Sequence, residues 1–272
     1  MNTDSMIIDW SIASKIGIVN EILYDWTVLL NDQKKKERYY HDFIKMNPFF
    51  LLTHDDCYLS ISKLKLGSDY ETDFVNLYEG YSDGNIYELV EIESPHTKLF
   101  DKKGNLTAKF NSALQQIRDW RRWLIDNQSG FKRLLPTTST RVIRKSRLKF
   151  KIVIGRREDN EETLAKRRQI SEENNIEIVS FDRLTDNLKR KSQYLFTEPP
   201  VIDFDIGRQS PYEKNQLANP FYTCLTHSEW KEFVKNATFH FYSSSIDEVL
   251  KYRKYNSYHQ KIIGHVTKAM RS

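Results

Sequence analysis

The chain has 272 residues, enough to bury a core without disulfides, and its two cysteines have no metal-ligand spacing. Net charge is +5, but the first 100 residues hold 17 acids against 9 Lys and Arg, whereas the remainder holds 20 against 33. This asymmetry suits a polyanionic partner for the C-terminal part, although ordinary surface variation explains it equally. Because no apolar run reaches the length of a membrane span and no targeting segment is visible, we expect a cytoplasmic protein without membrane contact.

Two amphipathic helices are predicted in the first 48 residues. Residues 1–30 carry apolar side chains at intervals of three and four, the spacing of a helix packed on a core. A second helix follows Lys36 and ends at Asn47, because the residue before a proline is pushed out of the helical region. Its apolar face includes Tyr40, and Glu37 lies beside that face.

A β-hairpin is predicted at residues 72–95, preceded by a strand at residues 59–66. Both runs of the hairpin alternate, and Ser82-Asp83-Gly84-Asn85 supplies residues that favour a tight turn. In an antiparallel pair Asp73 lies beside Glu91 or Glu93. Together these strands form a three-stranded antiparallel unit.

The acids of this hairpin predict a metal site. Asp73, Glu91 and Glu93 repel one another, and their burial is costly unless a cation lies among them. Mg²⁺ is the natural occupant because it prefers carboxylate and water oxygens. The alternative, equally weighted on the pattern alone, is a solvent-facing strand whose acids keep a sheet edge soluble.

A third helix is predicted at residues 111–127. Its apolar stripe includes Ala113, Ile117 and Trp120, and Gln116 falls on that stripe whereas Gln115 does not. A polar residue in an apolar stripe needs a partner, so Gln116 is predicted to point inward.

The strongest nucleic-acid signal is the stretch 141–157, which holds eight Lys or Arg and no acid. Cations of this kind neutralise phosphates and give salt-dependent binding with little sequence preference. The predicted DNA-binding residues are Arg141, Arg144, Lys145, Arg147, Lys149 and Arg156. A strand at 149–155, a helix at 161–174 and a strand at 176–181 predict a parallel pair, and so an α/β core with a mixed sheet.

The C-terminal part has a different character. Pro199-Pro200 and residues 207–220 read as a linker or an extended arm, and the tail beyond is rich in aromatic and basic residues. Aromatic side chains beside cations can stack on unpaired bases, but a small packed subdomain or an oligomer contact explains them as well. The predicted divisions are an N-terminal helical segment at 1–30, a main domain at 31–195 and an extension at 196–272.

Asp73, a hairpin turn and then Glu91-Ile92-Glu93 resemble the active-site pattern of the PD-(D/E)XK nuclease superfamily. The order of the surrounding segments narrows the resemblance to the Shedu anti-phage defence family over about residues 37–184. The segments that carry it are Glu37–Pro48, Thr72–Val75, Glu91–Pro95, Ala113–Trp120, Val153–Arg156 and Phe181–Leu184. Thr72 replaces the superfamily's Pro, and Glu93 replaces its usual Lys.

The resemblance implies a restriction-endonuclease-like core, flanked by helices, that cleaves DNA with Mg²⁺ or Mn²⁺. It implies that Asp73 and Glu91 hold the metal, with Glu93 as a further ligand or as the base. It also implies that Glu37 and Gln116 approach the site and that the protein is a homo-oligomer. The alternatives are a solvated acid on the helix edge for Glu37 and a buried amide satisfied by the backbone for Gln116. A nuclease-fold module with a decayed site, which binds nucleic acid or assembles with partners, is the alternative; a plain scaffold protein is a third.

Overall fold

The computed structural model describes residues 18–47, 50–51, 57–78, 86–134, 147–197 and 228. Its helices are α1 (Ile18–Asn31), α2 (Glu37–Met46), α3 (Ala108–Asp126), α4 (Gln128–Leu134), α5 (Glu161–Asn174) and α6 (Phe181–Thr197). Its strands are β1 (Cys57–Ser62), β2 (Lys65–Leu66), β3 (Tyr70–Glu71), β4 (Phe74–Tyr78), β5 (Ile86–Ile92), β6 (Arg147–Val153) and β7 (Glu177–Val179). Helices and strands alternate in the second half, as the α/β prediction requires.

A five-stranded mixed sheet of order β1-β4-β5-β6-β7 forms the centre of the fold, and β2 pairs with β3 in a separate two-stranded sheet. The pairs β1–β4 and β4–β5 are antiparallel, whereas β5–β6 and β6–β7 are parallel. The predicted mixed sheet and the antiparallel unit at its start are therefore confirmed. The central strand is β5, which carries Glu91, whereas Asp73 directly precedes β4 and Glu93 directly follows β5.

Local capping sets the bounds of two helices. The α3 helix begins at Ala108, three residues earlier than predicted, because the Thr107 hydroxyl caps it by accepting a hydrogen bond from the amide of Phe110 (3.4 Å). The α5 helix begins and ends where the pattern predicts. Asn160 caps its start, and Asn175, with φ of 51°, ends it in the left-handed region.

The single strand predicted at residues 59–66 is wrong, because the chain turns at Lys63. Lys63 has φ of 55°, a left-handed conformation that a strand cannot continue through. The strand therefore divides into β1 and β2. The strand predicted at 176–181 is also shorter than expected, since its last residue, Phe181, already begins α6.

The core lies between the sheet and its helices, and α1 contributes to it. Trp26 of α1 is fully buried against Phe50 and Phe181, and its indole N–H donates to the hydroxyl of Thr185 (2.9 Å). Tyr40 of α2 is also fully buried. The helix at residues 18–31 thus packs against α6 as part of the same core.

One face of the sheet buries an ion pair in its middle. The ammonium group of Lys151 on β6 lies 2.9 Å from Oε1 of Glu88 on β5 and 3.2 Å from Oε2 of Glu177 on β7. Burial favours the neutral form of Glu88, but the charge of Lys151 and the hydrogen bonds from Tyr78, Asn76 and Lys151 together outweigh burial and hold the pKa of Glu88 below its ordinary value. Lys151 is therefore a structural cation of the sheet.

Hydrogen bonds extend this pair across the neighbouring strands. The second oxygen of Glu88 accepts from the hydroxyl of Tyr78 (2.6 Å) and the amide of Asn76 (2.9 Å), and the Asn76 carbonyl accepts from Ser60 (2.8 Å). Polar groups of all five strands, from β1 to β7, thus join in one line. Buried polar networks of this kind fix the register of the strands that carry them.

Some predictions lie outside the described residues: the turn at 82–85, the linker, the extension beyond residue 197, and the start of the N-terminal segment. Within the described ranges, no helix is both long enough and apolar enough to cross a bilayer.

Candidate functional site

Three acids converge at the carboxyl end of β5, between the first turn of α2 and the first turns of α3. Phe74 pairs with Val90 in the β4–β5 register, so the next antiparallel position sets Asp73 across from Glu91. The exposed fractions of Asp73, Glu91 and Glu93 are only 7%, 7% and 6%. The alternative of a solvent-facing edge is therefore wrong.

Asp73 is held by backbone and side-chain contacts. Its Oδ2 accepts a hydrogen bond from the amide of Ile92 (2.8 Å), which ties the start of β4 to the end of β5. Its Oδ1 accepts a hydrogen bond from the ammonium group of Lys63, and the two side chains also form an ion pair. Burial opposes the charge of Lys63, but Asp73 outweighs burial and keeps the pKa of Lys63 above its ordinary value. Lys63 is therefore a resident cation of the site.

His41 of α2 lies on the other side of Asp73. Its Nε2 is 3.9 Å from Oδ1 of Asp73, and its ring packs on Phe74 with centroids 4.8 Å apart. Burial lowers the pKa of His41, and the charge of Asp73 offsets this only in part. The imidazole is therefore neutral at pH 7, and its buried Nε2 has no hydrogen-bond partner in the described structure.

Glu91 contacts α3. The side-chain amide of Gln116 donates to Oε2 of Glu91 (3.0 Å), whereas Gln115 bonds Asp119 on the exposed face of the helix. The predicted inward direction of Gln116 is thus confirmed. Burial, and then the charges of Asp73 and Glu93, raise the pKa of Glu91 to about 10. Without a bound metal ion, Glu91 is therefore protonated at neutral pH.

Glu93 and Glu37 share a cation. The ammonium group of Lys109, in the first turn of α3, lies 3.4 Å from Oε2 of Glu93 and 3.6 Å from Oε2 of Glu37. Burial, and then the charge of Glu37, raise the pKa of Glu93 to about 7. Oε2 of Glu93 is buried without a geometrically good hydrogen bond, although Lys109 is near. The predicted approach of Glu37 to the site is thus observed.

The chemistry of these donors fits a hard divalent cation. Carboxylate oxygens are the ligands of Mg²⁺, and a dication beside them would favour the ionised forms of Glu91 and Glu93, whose pKa values burial and neighbouring acids raise. In the described parts of the chain, no group of three or more His, Cys, Asp or Glu side chains is placed so that it could hold a metal ion as it stands. Ammonium groups, those of Lys63 and Lys109, lie among the acids instead.

The raised pKa of Glu91 predicts how stability depends on pH in EDTA. Above pH 4.5 the unfolded protein releases a proton that the folded protein keeps until about pH 10, so stability falls as pH rises. We expect this carboxyl to contribute a loss of about 1 kcal/mol per pH unit between pH 5 and 8, from the free energy of one pKa unit. Urea unfolding of the wild type and Glu91→Gln measures it. The free energy of unfolding of the variant should rise relative to that of the wild type as pH increases. A difference in stability that does not change with pH would contradict the raised pKa of Glu91.

The predicted DNA-binding residues differ in their surroundings. Arg147 and Lys149 lie in the exposed first half of β6. The guanidinium of Arg156 donates to Asp182 from Nε to both oxygens (3.1 and 3.0 Å) and from Nη2 to Oδ1 (2.9 Å), so it is part of a structural ion pair between the segment after β6 and α6. The other predicted contacts, Arg141, Arg144 and Lys145, lie outside the described residues.

Sequence reasoning missed three residues of the site. His41 follows Glu37 by four residues and so shares its helix face, a signal that could have identified it. Lys109 lies two residues beyond the Thr107 cap. Lys63 is ten residues before Asp73 and carries no local signal, because only the turn between β1 and β2 brings it to the acids.

The family model described as "Shedu protein SduA, C-terminal" matches residues 34–185. No curated protein and no solved structure matches the chain. The matched range contains all the acids of the site, from Glu37 to Glu93, together with Gln116.

Proposed function

Because the chain belongs to the Shedu protein family, we propose that it is a metal-dependent endonuclease that hydrolyses DNA phosphodiester bonds in anti-phage defence. The Shedu family is associated with defence. The observation that carries the nuclease proposal is the convergence of three buried carboxylates, Asp73, Glu91 and Glu93, at the end of a central strand. A site of this kind, on a mixed sheet between helices, supports a restriction-endonuclease-like core.

In this proposal Asp73 and Glu91 hold Mg²⁺ or Mn²⁺. The metal, when bound, polarises the scissile phosphate and lowers the pKa of a bound water. The amide of Ile92 fixes Asp73, and Gln116 fixes Glu91, so both carboxylates keep their orientation. Glu93 takes the third position, as a further ligand or as the base that accepts a proton from the attacking water.

Gln116 offers a matched comparison with its helical neighbour. Outer partners of metal ligands typically change metal affinity by ~10–100-fold when removed, so Gln116→Ala should weaken Mn²⁺ binding by about that factor. Gln115→Ala removes the same groups from the exposed face and should leave affinity unchanged. Titration calorimetry of both variants measures the difference. Equal Mn²⁺ affinities of the two variants would mean that Gln116 does not support the metal site.

DNA is the proposed partner, and the exposed start of β6 is the described part of its proposed path. Lys149→Glu should weaken binding about equally for unrelated sequences and flatten the slope of log affinity against log salt by about one unit per lost phosphate contact. Lys166→Glu makes the same charge change on α5 and is the control. An unchanged salt slope for Lys149→Glu would mean that the bound DNA does not contact the start of β6.

A second candidate function is a nucleic-acid-binding module with a decayed site. Lys63 and Lys109 favour it, because each already neutralises an acid that a nuclease would use for metal. The two functions differ in whether divalent cations bind these acids at all.

The test of the proposed function is direct. Purified protein is incubated with linear, supercoiled and single-stranded DNA in Mg²⁺, Mn²⁺ or EDTA. Cutting that requires metal and is lost in Asp73→Asn, but not in Asp119→Asn on the exposed face of α3, supports the nuclease. If the protein binds DNA but cuts none of these substrates under any of these conditions, the nuclease proposal is contradicted and the nucleic-acid-binding module is supported. Plaque counts on cells that express the wild type and Asp73→Asn test the defensive role.

A further inference from the structure

Lys63 and the backbone of Ile92 each engage one oxygen of the Asp73 carboxylate. Oδ2 is engaged by the amide of Ile92, which also fixes the orientation of the carboxylate. Oδ1 carries the ammonium group of Lys63. A divalent cation on Oδ1 would therefore meet a like charge at contact distance, and the two cannot share the oxygen without strong repulsion. Lys63, where it lies, therefore opposes the binding of a metal at this oxygen.

The surroundings of Lys63 give it a second partner. Its backbone is anchored, because its amide donates to the carbonyl of Asp73 (2.9 Å) and its φ of 55° turns the chain between β1 and β2. Its side chain is 45% exposed, and its ammonium group lies 3.9 Å from Oε1 of Glu71, which is 43% exposed. A rotation of the side chain alone can therefore carry the charge from Asp73 to Glu71 without any change of the backbone.

We propose that Lys63 is the exchanging cation of the site: it neutralises Asp73 without metal, moves toward Glu71 when a metal binds, and then places its charge on the incoming DNA phosphate. This inference rests on the proposed nuclease function. Lys109 does not serve the same purpose, since it binds Glu93 and Glu37 on the other side of Glu91. The exchange keeps the buried acids compensated at each stage.

The proposal gives Lys63 opposite effects on two ligands. Lys63→Met keeps the length of the side chain and removes the charge, so Mn²⁺ should bind more tightly without DNA, by about tenfold, a usual size for coupling between two ligands. The same variant should bind DNA more weakly when Ca²⁺ fills the site, with a salt slope flatter by about one unit. A residue with only a structural role would weaken both.

Titration calorimetry with Mn²⁺ and DNA binding in Ca²⁺ are measured for Lys63→Met and for Lys65→Met. Lys65 is exposed on β2 and provides the control, which should match the wild type for both ligands. The exchange would be overturned, and the nuclease proposal left intact, by the following result. The wild type binds Mn²⁺, Asp73→Asn abolishes that binding, and Lys63→Met binds Mn²⁺ no more tightly than the wild type. Absence of Mn²⁺ binding to the wild type would overturn both.

Glu71→Gln keeps the test decisive where Lys63→Met fails to fold. It removes the second partner of Lys63 from the exposed rim and should weaken Mn²⁺ binding several-fold, because the displaced ammonium group has no acid to move to. Wild-type affinity in Glu71→Gln, together with an unfolded Lys63→Met, would overturn the proposal.

Discussion

Glu91→Gln is expected to reduce DNA cleavage by at least ~10³-fold, because the metal that this carboxylate would hold supplies both the nucleophile and the compensation of phosphate charge. The substitution keeps the shape of the side chain and the acceptor for Gln116. It also removes a buried group whose ionisation Asp73 and Glu93 oppose. The fold should therefore survive, and the metal-free protein should be more stable at pH 8 than the wild type.

Asp73→Asn should lose activity to the same extent, but its stability should differ. Asn keeps an acceptor for the amide of Ile92, yet it leaves Lys63 without its buried partner. Cleavage rates on a linear DNA duplex measure the loss of chemistry, and unfolding curves in EDTA measure the loss of structure. Cleavage at the wild-type rate by either variant would remove these two carboxylates from the site.

Lys151→Met is expected to destabilise the protein by about 3–5 kcal/mol, the usual cost of leaving one member of a buried ion pair alone. Glu88 would then be a buried carboxylate with only the hydrogen bonds from Tyr78 and Asn76. Its pKa, now held down chiefly by Lys151, should rise in the variant.

Urea unfolding measures this effect with two comparisons. Lys149→Met makes the same change two residues earlier on β6, where the side chain is exposed, and should alter stability by less than about 0.5 kcal/mol. The double variant Glu88→Gln/Lys151→Met should recover part of the loss, because no unpaired charge remains. A cost for Lys151→Met below about 1 kcal/mol would mean that the pair is not the structural element described above.

The local patterns were sufficient for much of the fold and for the acids of the site. Alternation and the turn residues predicted that β4 and β5 pair, and the register then brings Asp73 across from Glu91. Helical periodicity separated Gln116 from Gln115. In each case the signal lies within one element or across one turn, where side-chain direction follows from backbone geometry.

The remaining features depend on contacts that no local pattern encodes. Lys151 belongs to the basic run by sequence, but its side chain is buried in an ion pair with Glu88, 63 residues earlier. Arg156 is likewise bound by Asp182 from another element. Lys63 reaches Asp73 only because the chain adopts a left-handed conformation at a non-glycine residue, an arrangement that tertiary contacts impose.

The central claim is that Asp73 and Glu91 bind a divalent cation, with Glu93 beside it as a further ligand or as the base. Calorimetric titration of Mn²⁺ into metal-free protein at pH 7.5 tests this claim most directly. The account predicts saturable binding to the wild type, with protons released as Glu91 and Glu93 ionise, and loss of that binding in Asp73→Asn and Glu91→Gln. No heat of binding at millimolar Mn²⁺, with DNA present or absent, would contradict the account and leave the acids as a compensated part of the fold.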